Sequence, residues 1–134
     1  MATTVAMDAH LLFAWTWIVI GLATGVGLGA FFAREDWLGG YGSWPRRLVR
    51  LGHISFVGTG LLNVAAHWTL QQLAVGDPAQ AWIRAAFVAG AVTMPAVCFT
   101  AAFAKRAKGL FAVPVALLTG GSAALALFVA AQGV

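Results

Sequence analysis

The sequence predicts an all-α, polytopic membrane protein: a bundle of four transmembrane helices with both termini on the extracytoplasmic side. Three observations carry this reading. The 134-residue chain is 61% hydrophobic and only 9% charged, whereas ordinary soluble domains carry about 25% charged residues. Its apolar residues fall into four runs, each long enough to cross a hydrocarbon core of about 30 Å at about 1.5 Å per helical residue. Its basic residues collect in two of the three connectors. A soluble domain of this length buries only about 65% of the surface its unfolded chain exposes, so lipid is the expected solvent for the remainder. The length allows one domain, residues 1–134.

The first run extends from about Leu11 to Ala33 and the second from about Arg47 to Leu73. The third covers about Pro78 to Ala104 and the fourth about Leu110 to Gln132. None alternates apolar with polar residues as the strands of a membrane barrel do. Met1 to His10 holds no Lys or Arg, so the charged start of a cleavable signal peptide is missing, and the first run is long enough to span. Ser43, Trp44 and Pro45 supply a capping hydroxyl and a first-turn proline before the second helix. Asp77 and Pro78 are expected to do the same for the third, with the carboxylate as N-cap. Lys105, Arg106, Lys108 and Gly109 are expected to close the third helix with cations and a glycine. The longest connector, Arg34 to Trp44, holds Gly39, Gly40 and Gly42.

Charge sets the orientation. Arg34, Arg46, Arg47 and Arg50 lie in or beside the first connector, and Lys105, Arg106 and Lys108 in the third; these are seven of the eight basic residues. Four spans put those connectors on one side, which the positive-inside rule makes cytoplasmic. Trp15, Trp17, Trp68 and Trp82 then fall near the outer interface, and Trp37, Tyr41 and Trp44 near the inner one. The chain is therefore expected to be a multi-pass protein of a plasma membrane, and its Ala- and Gly-rich composition associates it with a bacterial inner membrane. Its net charge of +4 serves orientation and is no sign of nucleic-acid binding. The single cysteine, Cys98, excludes an internal disulfide.

Gly21, Gly25 and Gly29 recur every four residues along the first helix, a double GxxxG. Lipid tails are as apolar as leucine, so membrane helices associate by close packing, which small residues permit. The same groove would also seat a flat cofactor. Polar groups inside the membrane are costly and therefore candidates for function. The second helix carries His53, Phe56, Gly60, Asn63 and His67 at steps of three and four, on one stripe. Asn63 suits an interhelical hydrogen bond. His53 and His67 are fourteen residues apart, about 21 Å along the axis.

Two histidines at this separation on one spanning helix resemble the haem-ligand helices of diheme b-type cytochromes. The resemblance covers that helix alone. The family's second helix with the same pair has no counterpart here, because the third histidine is His10. The resemblance therefore implies at most one bis-histidine haem b, held by His10 and His67 near the outer end, with Gly60 near the porphyrin and Arg84 available to a propionate. Two imidazoles would also suit copper or zinc, with Asp8 as the one further outer ligand. Near the inner end, Met94 and Cys98 stand at i and i+4 on the third helix. With His53 they form a possible copper or His/Met haem cluster, or pack as ordinary apolar residues. Pro95 between them frees the carbonyl of Ala91, which Thr93 or another helix must satisfy.

Three functions follow as expectations. The first is a haem-bearing subunit linked to electron transfer in a respiratory or photosynthetic complex. The second is a non-catalytic accessory or assembly subunit that packs against larger membrane partners or copies of itself. The third, a channel or transporter, has no intramembrane carboxylate and no inverted repeat behind it. Catalytic carboxylate pairs, nucleophile triads and phosphate loops are absent from the sequence.

Overall fold

A computed structural model describes residues 8–133, and among these every regular element is helical. Helix α1 spans Ala9–Phe32, α2 Trp44–Gln72, α3 Asp77–Phe103 and α4 Ala112–Gln132. Two 3₁₀ segments, Trp37–Gly39 and Lys105–Phe111, join α1 to α2 and α3 to α4. Four helices are long and apolar enough to cross a membrane. The ends of the bundle are called here the terminal end, which holds Asp8 and the α2–α3 turn, and the loop end, which holds the other two connectors.

The helix starts follow local chemistry. Asp8 caps α1 by accepting from the N–H groups of His10 and Leu11 at 2.9 and 3.3 Å. The Ser43 hydroxyl accepts from Arg46 N–H and donates to Leu38 O, so α2 begins at Trp44, three residues before the apolar run suggests. At α3 the expectation is corrected. Gly76 has the extended N-cap conformation, while Asp77 is already the first helical residue and favours the positive end of the helix dipole from there. The basic residues after α3 are also corrected. The non-helical backbone of Ala104 (φ −125°, ψ 89°) stops the helix first, so Lys105, Arg106 and Lys108 ride on the 3₁₀ lead into α4.

Helices α2 and α3 form the central pair, with α1 packed on α2 and α4 on α3. In the most apolar stretches of α2 and α3, 44% and 50% of residues are buried, against 17% for α1 and for the segment containing α4. The flanking helices therefore turn most of their apolar surface outward. Two apolar clusters fill the centre. Leu70, Leu73, Ile83, Phe87 and Leu125 pack at the terminal end. Leu48, Val49, Ala101 and Ala102 pack at the loop end under Trp37 and Phe111.

Close approach between α1 and α2 depends on glycines from both helices. A methyl group at Gly21 would lie 2.8 Å from Phe56 Cβ, and one at Gly60 2.6 Å from Ile18 Cγ1 and 3.2 Å from Ala14 O. Gly25 meets the ring of His53, whereas Gly27 and Gly29 meet nothing within 4 Å. Between α3 and α4, Leu118 fills the face of Gly90 and Phe87 that of Gly121. Pro95 is buried inside a continuous α3. Thr93 bonds to the carbonyls of Ala89 and Gly90, not to that of Ala91.

These contacts separate two substitutions that look alike in sequence. Gly60→Ala should destabilise the purified protein by about 1–3 kcal/mol through overpacking. Gly29→Ala should be neutral or slightly stabilising, since an open helical glycine gains roughly up to 1 kcal/mol on acquiring a methyl. Chemical denaturation in detergent checks both; equal effects would contradict the packing described.

Candidate functional site

A polar cluster at the terminal end draws on three helices. Asp8 and His10 open α1, Asn63, His67 and Gln71 follow one another at i, i+4 and i+8 on α2, and Arg84 lies two turns into α3. His10, Asn63 and His67 are buried, the last two almost completely. Arg84 and Asp8 keep 22% and 33% of their side-chain surface, so the cluster has one open side.

One nitrogen organises it. Arg84 Nη1 lies 3.2 Å from His10 Nδ1, 3.4 Å from His67 Nδ1, and 3.4 and 3.5 Å from the two oxygens of Asp8. Donation from Arg84 to His10 Nδ1 leaves the His10 proton on Nε2, which donates to Asn63 Oδ1 at 2.9 Å. The Asn63 amide donates to the carbonyls of Thr59 at 2.8 Å and Phe87 at 3.2 Å, which ties α2 to α3. The Gln71 amide donates to His67 Nε2 at 2.9 Å. That assigns the His67 proton to Nδ1, which faces Asp8 Oδ2 at 3.5 Å. With neutral imidazoles the cluster carries one positive and one negative charge, and in a medium of low dielectric this balance is what permits burial.

Beside the cluster runs an open groove of about 580 Å³ between α1 and α3. Asp8, His10 and Arg84 form its polar end, and Phe13, Ala85 and Val88 its apolar walls. Among the described residues every protein hydrogen bond of Arg84 runs through Nη1, to Asp8 and His10, while the protonated His67 Nδ1 lies 3.4 Å from it as a contact and not a bond. The Nη2 and Nε donors of Arg84 have no partner among the described residues. The site is thus a short polar head, rich in N–H donors, joined to a longer apolar trough.

The structure brings together Asp8, His10, His67, Asn63 and Arg84 and adds Gln71. It places the other candidates elsewhere. Gly60 faces α1 and is filled by Ile18, so a porphyrin has no room on that face. The His10 and His67 rings lie 6.0 Å apart, centroid to centroid, with Arg84 Nη1 between their Nδ1 atoms. His53 turns toward α1, where its Nδ1 donates to Thr24 Oγ1 at 3.2 Å and its ring covers Gly25. Cys98 is buried against Gly52, and Met94 is half-buried. Among the described residues no three His, Cys, Asp or Glu side chains are arranged to hold a metal ion.

Gln71 escaped the sequence reading, although a signal was present. Ser55, Thr59, Asn63, His67 and Gln71 recur every four residues on α2. Ser55 and Thr59 bond back to the carbonyls of Gly52 and Ser55. Asn63, His67 and Gln71 reach outward into the cluster. No family model matches the chain, and no curated protein or solved structure shows significant similarity to it.

Asp8 lies before the first residue of α1, and its acidity is shifted. Partial burial opposes ionisation, but N–H donors from Leu11 and His10, the Arg84 cation and His67 outweigh it and hold the carboxyl below its ordinary value. A depressed acid adds stability that is fully present above its unfolded pKa of about 3.9 and is lost as pH falls through the lower folded value. Thermal unfolding in detergent between about pH 6 and pH 2.5 should therefore show the loss beginning near pH 4. In Asp8→Asn, which keeps a capping oxygen, the component of the acid slope due to this carboxyl should disappear. An unchanged slope in that variant would remove Asp8 from the cluster's electrostatics.

Proposed function

We propose that the chain is an inner-membrane subunit linked to electron transfer, and that the α1–α3 groove binds a membrane-dissolved carbonyl compound of the quinone class. In this reading the four helices span the bilayer, the loop end faces the cytoplasm and the terminal end faces out. The seven basic residues gathered at the loop end support that orientation. The uncommitted donors of Arg84 at the head of an apolar groove are the single observation that carries the ligand class.

Charge selects among ligands. Asp8 already balances Arg84, so an anionic head would leave the site with net negative charge in a low-dielectric setting. A neutral carbonyl oxygen accepts from the guanidinium without that cost. Its ring and tail suit Phe13, Ala85 and Val88, and entry from the side suits a ligand that diffuses within the membrane. Imidazoles beside the carbonyl provide proton-bearing groups. This chain's own residues thus bind, orient and shield the head; electrons would come from partner subunits seated on the outward faces of α1 and α4.

A second reading, one haem b between His10 and His67, draws on the 6.0 Å ring separation. It requires Arg84 to leave its position between the imidazoles and α1 to part from α2 below them, where Ile18 closes on Gly60. A b-type absorption spectrum of the purified chain would favour it over the groove.

Short-tailed quinone titrated into protein in nanodiscs tests the first reading. Binding should saturate at one site per chain. Arg84→Gln should weaken it about 10- to 100-fold, since hydrogen bonds to charged donors are worth roughly 1.5–3 kcal/mol. His53→Ala, at the far end of α2, should leave affinity unchanged. Absence of saturable binding, or equal affinity in Arg84→Gln, would overturn it.

A further inference from the structure

The loop end holds a second charged centre that the proposed function does not use. Arg46 is 3% exposed, and its guanidinium closes the end of α1. Nη2 donates to Phe32 O at 2.9 Å, and Nη1 to Arg34 O and Glu35 O, both at 3.1 Å. These are carbonyls at and just beyond the negative end of the α1 dipole. The same guanidinium stands over aromatic rings, 5.4 Å from the centroid of Phe32, 5.8 Å from Trp37 and 5.4 Å from Tyr41. Arg50 covers Tyr41 at 4.4 Å.

Two demands remain unmet. Arg46 Nε is buried and has no hydrogen-bond partner among the described residues. Nor does a carboxylate neutralise the arginines: the first turn of α2 contains no acid, and the ion pairs found among the described residues all involve Asp8 at the opposite end. Glu35 lends Arg46 its backbone carbonyl and makes no ion pair with it. Residues 34–50 hold Arg34, Arg46, Arg47 and Arg50 against Glu35 and Asp36, four positive charges less two negative, a net +2. The positive end of the α2 dipole adds to that field. Buried cations are ordinarily paired, and here the missing partner is an anion.

A cavity of about 570 Å³ adjoins Arg46, lined also by Phe32, Ala33, Glu35 and Tyr41. We infer that this cavity takes the phosphodiester headgroup of an anionic phospholipid. Guanidinium groups bind phosphate oxygens in a fork geometry, and Arg50 stands within reach of the same aromatic platform. Free phosphate shares that chemistry. The lipid is favoured because apolar side chains line the cavity and the adjacent Phe31 is exposed, a surface suited to an acyl chain. Aromatic residues at this level, Trp37, Tyr41 and Trp44, suit headgroup depth. The inference rests on the proposed bilayer insertion and is independent of the quinone-class ligand.

Thermal unfolding of the detergent-purified protein, with phosphatidylglycerol, phosphatidylcholine or inorganic phosphate added, tests it. Phosphatidylglycerol should raise Tm clearly more than phosphatidylcholine, and inorganic phosphate should leave it unchanged. Arg50→Gln keeps the bonds of Arg46 to α1 and should lose most of the phosphatidylglycerol gain. Arg46→Lys keeps the charge without the fork and should lose it too; Arg50→Gln decides the matter if that variant fails to fold. Equal gains from the two lipids, an undiminished gain in Arg50→Gln, or full reproduction of the gain by inorganic phosphate would overturn the inference. Failure of the membrane reading itself has a different signature: a folded protein that stays in solution without detergent.

Discussion

One guanidinium nitrogen within 3.5 Å of two imidazoles and a carboxylate sets the relation of α1, α2 and α3. Arg84 keeps its charge, and in a buried cluster that charge needs a partner. Asp8 supplies the match from the cap of α1, and His67 and His10 accommodate the remaining contacts from α2 and α1. Rotation of any of these helices by one residue, about 100°, would remove its member from the set. The glycine contacts below then follow. With α1 held at Asp8 and His10, Ile18 meets Gly60 and Gly21 meets Phe56 in successive turns of one interface.

The four helices were legible because their apolar runs are longer than any soluble core of this size needs. The start of α2 was legible in Ser43, whose hydroxyl caps it, whereas the capping of α1 by Asp8 emerges only in the structure. What periodicity does not reveal is which neighbour a face meets. Residues 53 and 67 share a stripe in the sequence, yet His53 bonds to Thr24 at one end of the α1–α2 seam and His67 belongs to a three-helix cluster at the other. Met94 and Cys98 share a face of α3, but His53 approaches α1 instead. Arg46 was read as a sign of orientation, and its capping of α1 was hidden. Its partners are backbone carbonyls, which no residue pattern displays. The end of α3 near Ala104 was legible, but not its cause: cations near a helix terminus suit the dipole, yet the backbone at Ala104 stops the helix and Lys105, Arg106 and Lys108 lie beyond it.

The two ends of the bundle answer opposite electrostatic problems. At the terminal end the charges balance within the protein and leave neutral donor capacity facing an apolar groove, which is the basis for proposing a carbonyl ligand. At the loop end the arginines exceed the carboxylates, and their surplus calls for an anion from outside the chain. A bilayer would supply both kinds of partner, one dissolved among its tails and the other among its headgroups. Between the ends, the buried polar atoms of Ser55 and Thr59 are satisfied by their own helix. Trp17 Nε1, packed between Phe13 and Phe56, is the exception there, buried without a hydrogen-bond partner among the described residues, and the ligand chemistry proposed above lies at the two rims.

A double-mutant cycle between His10 and Arg84, measured by reversible unfolding in detergent, tests the shared guanidinium most directly. His10→Ala and Arg84→Gln remove two residues of different helices whose side chains lie 3.2 Å apart. Members of one hydrogen-bonded network couple by roughly 0.5–3 kcal/mol, so the double variant should be less destabilised than the sum of the two single ones. Strict additivity would contradict the account, because it would mean that the imidazole and the guanidinium do not share a site.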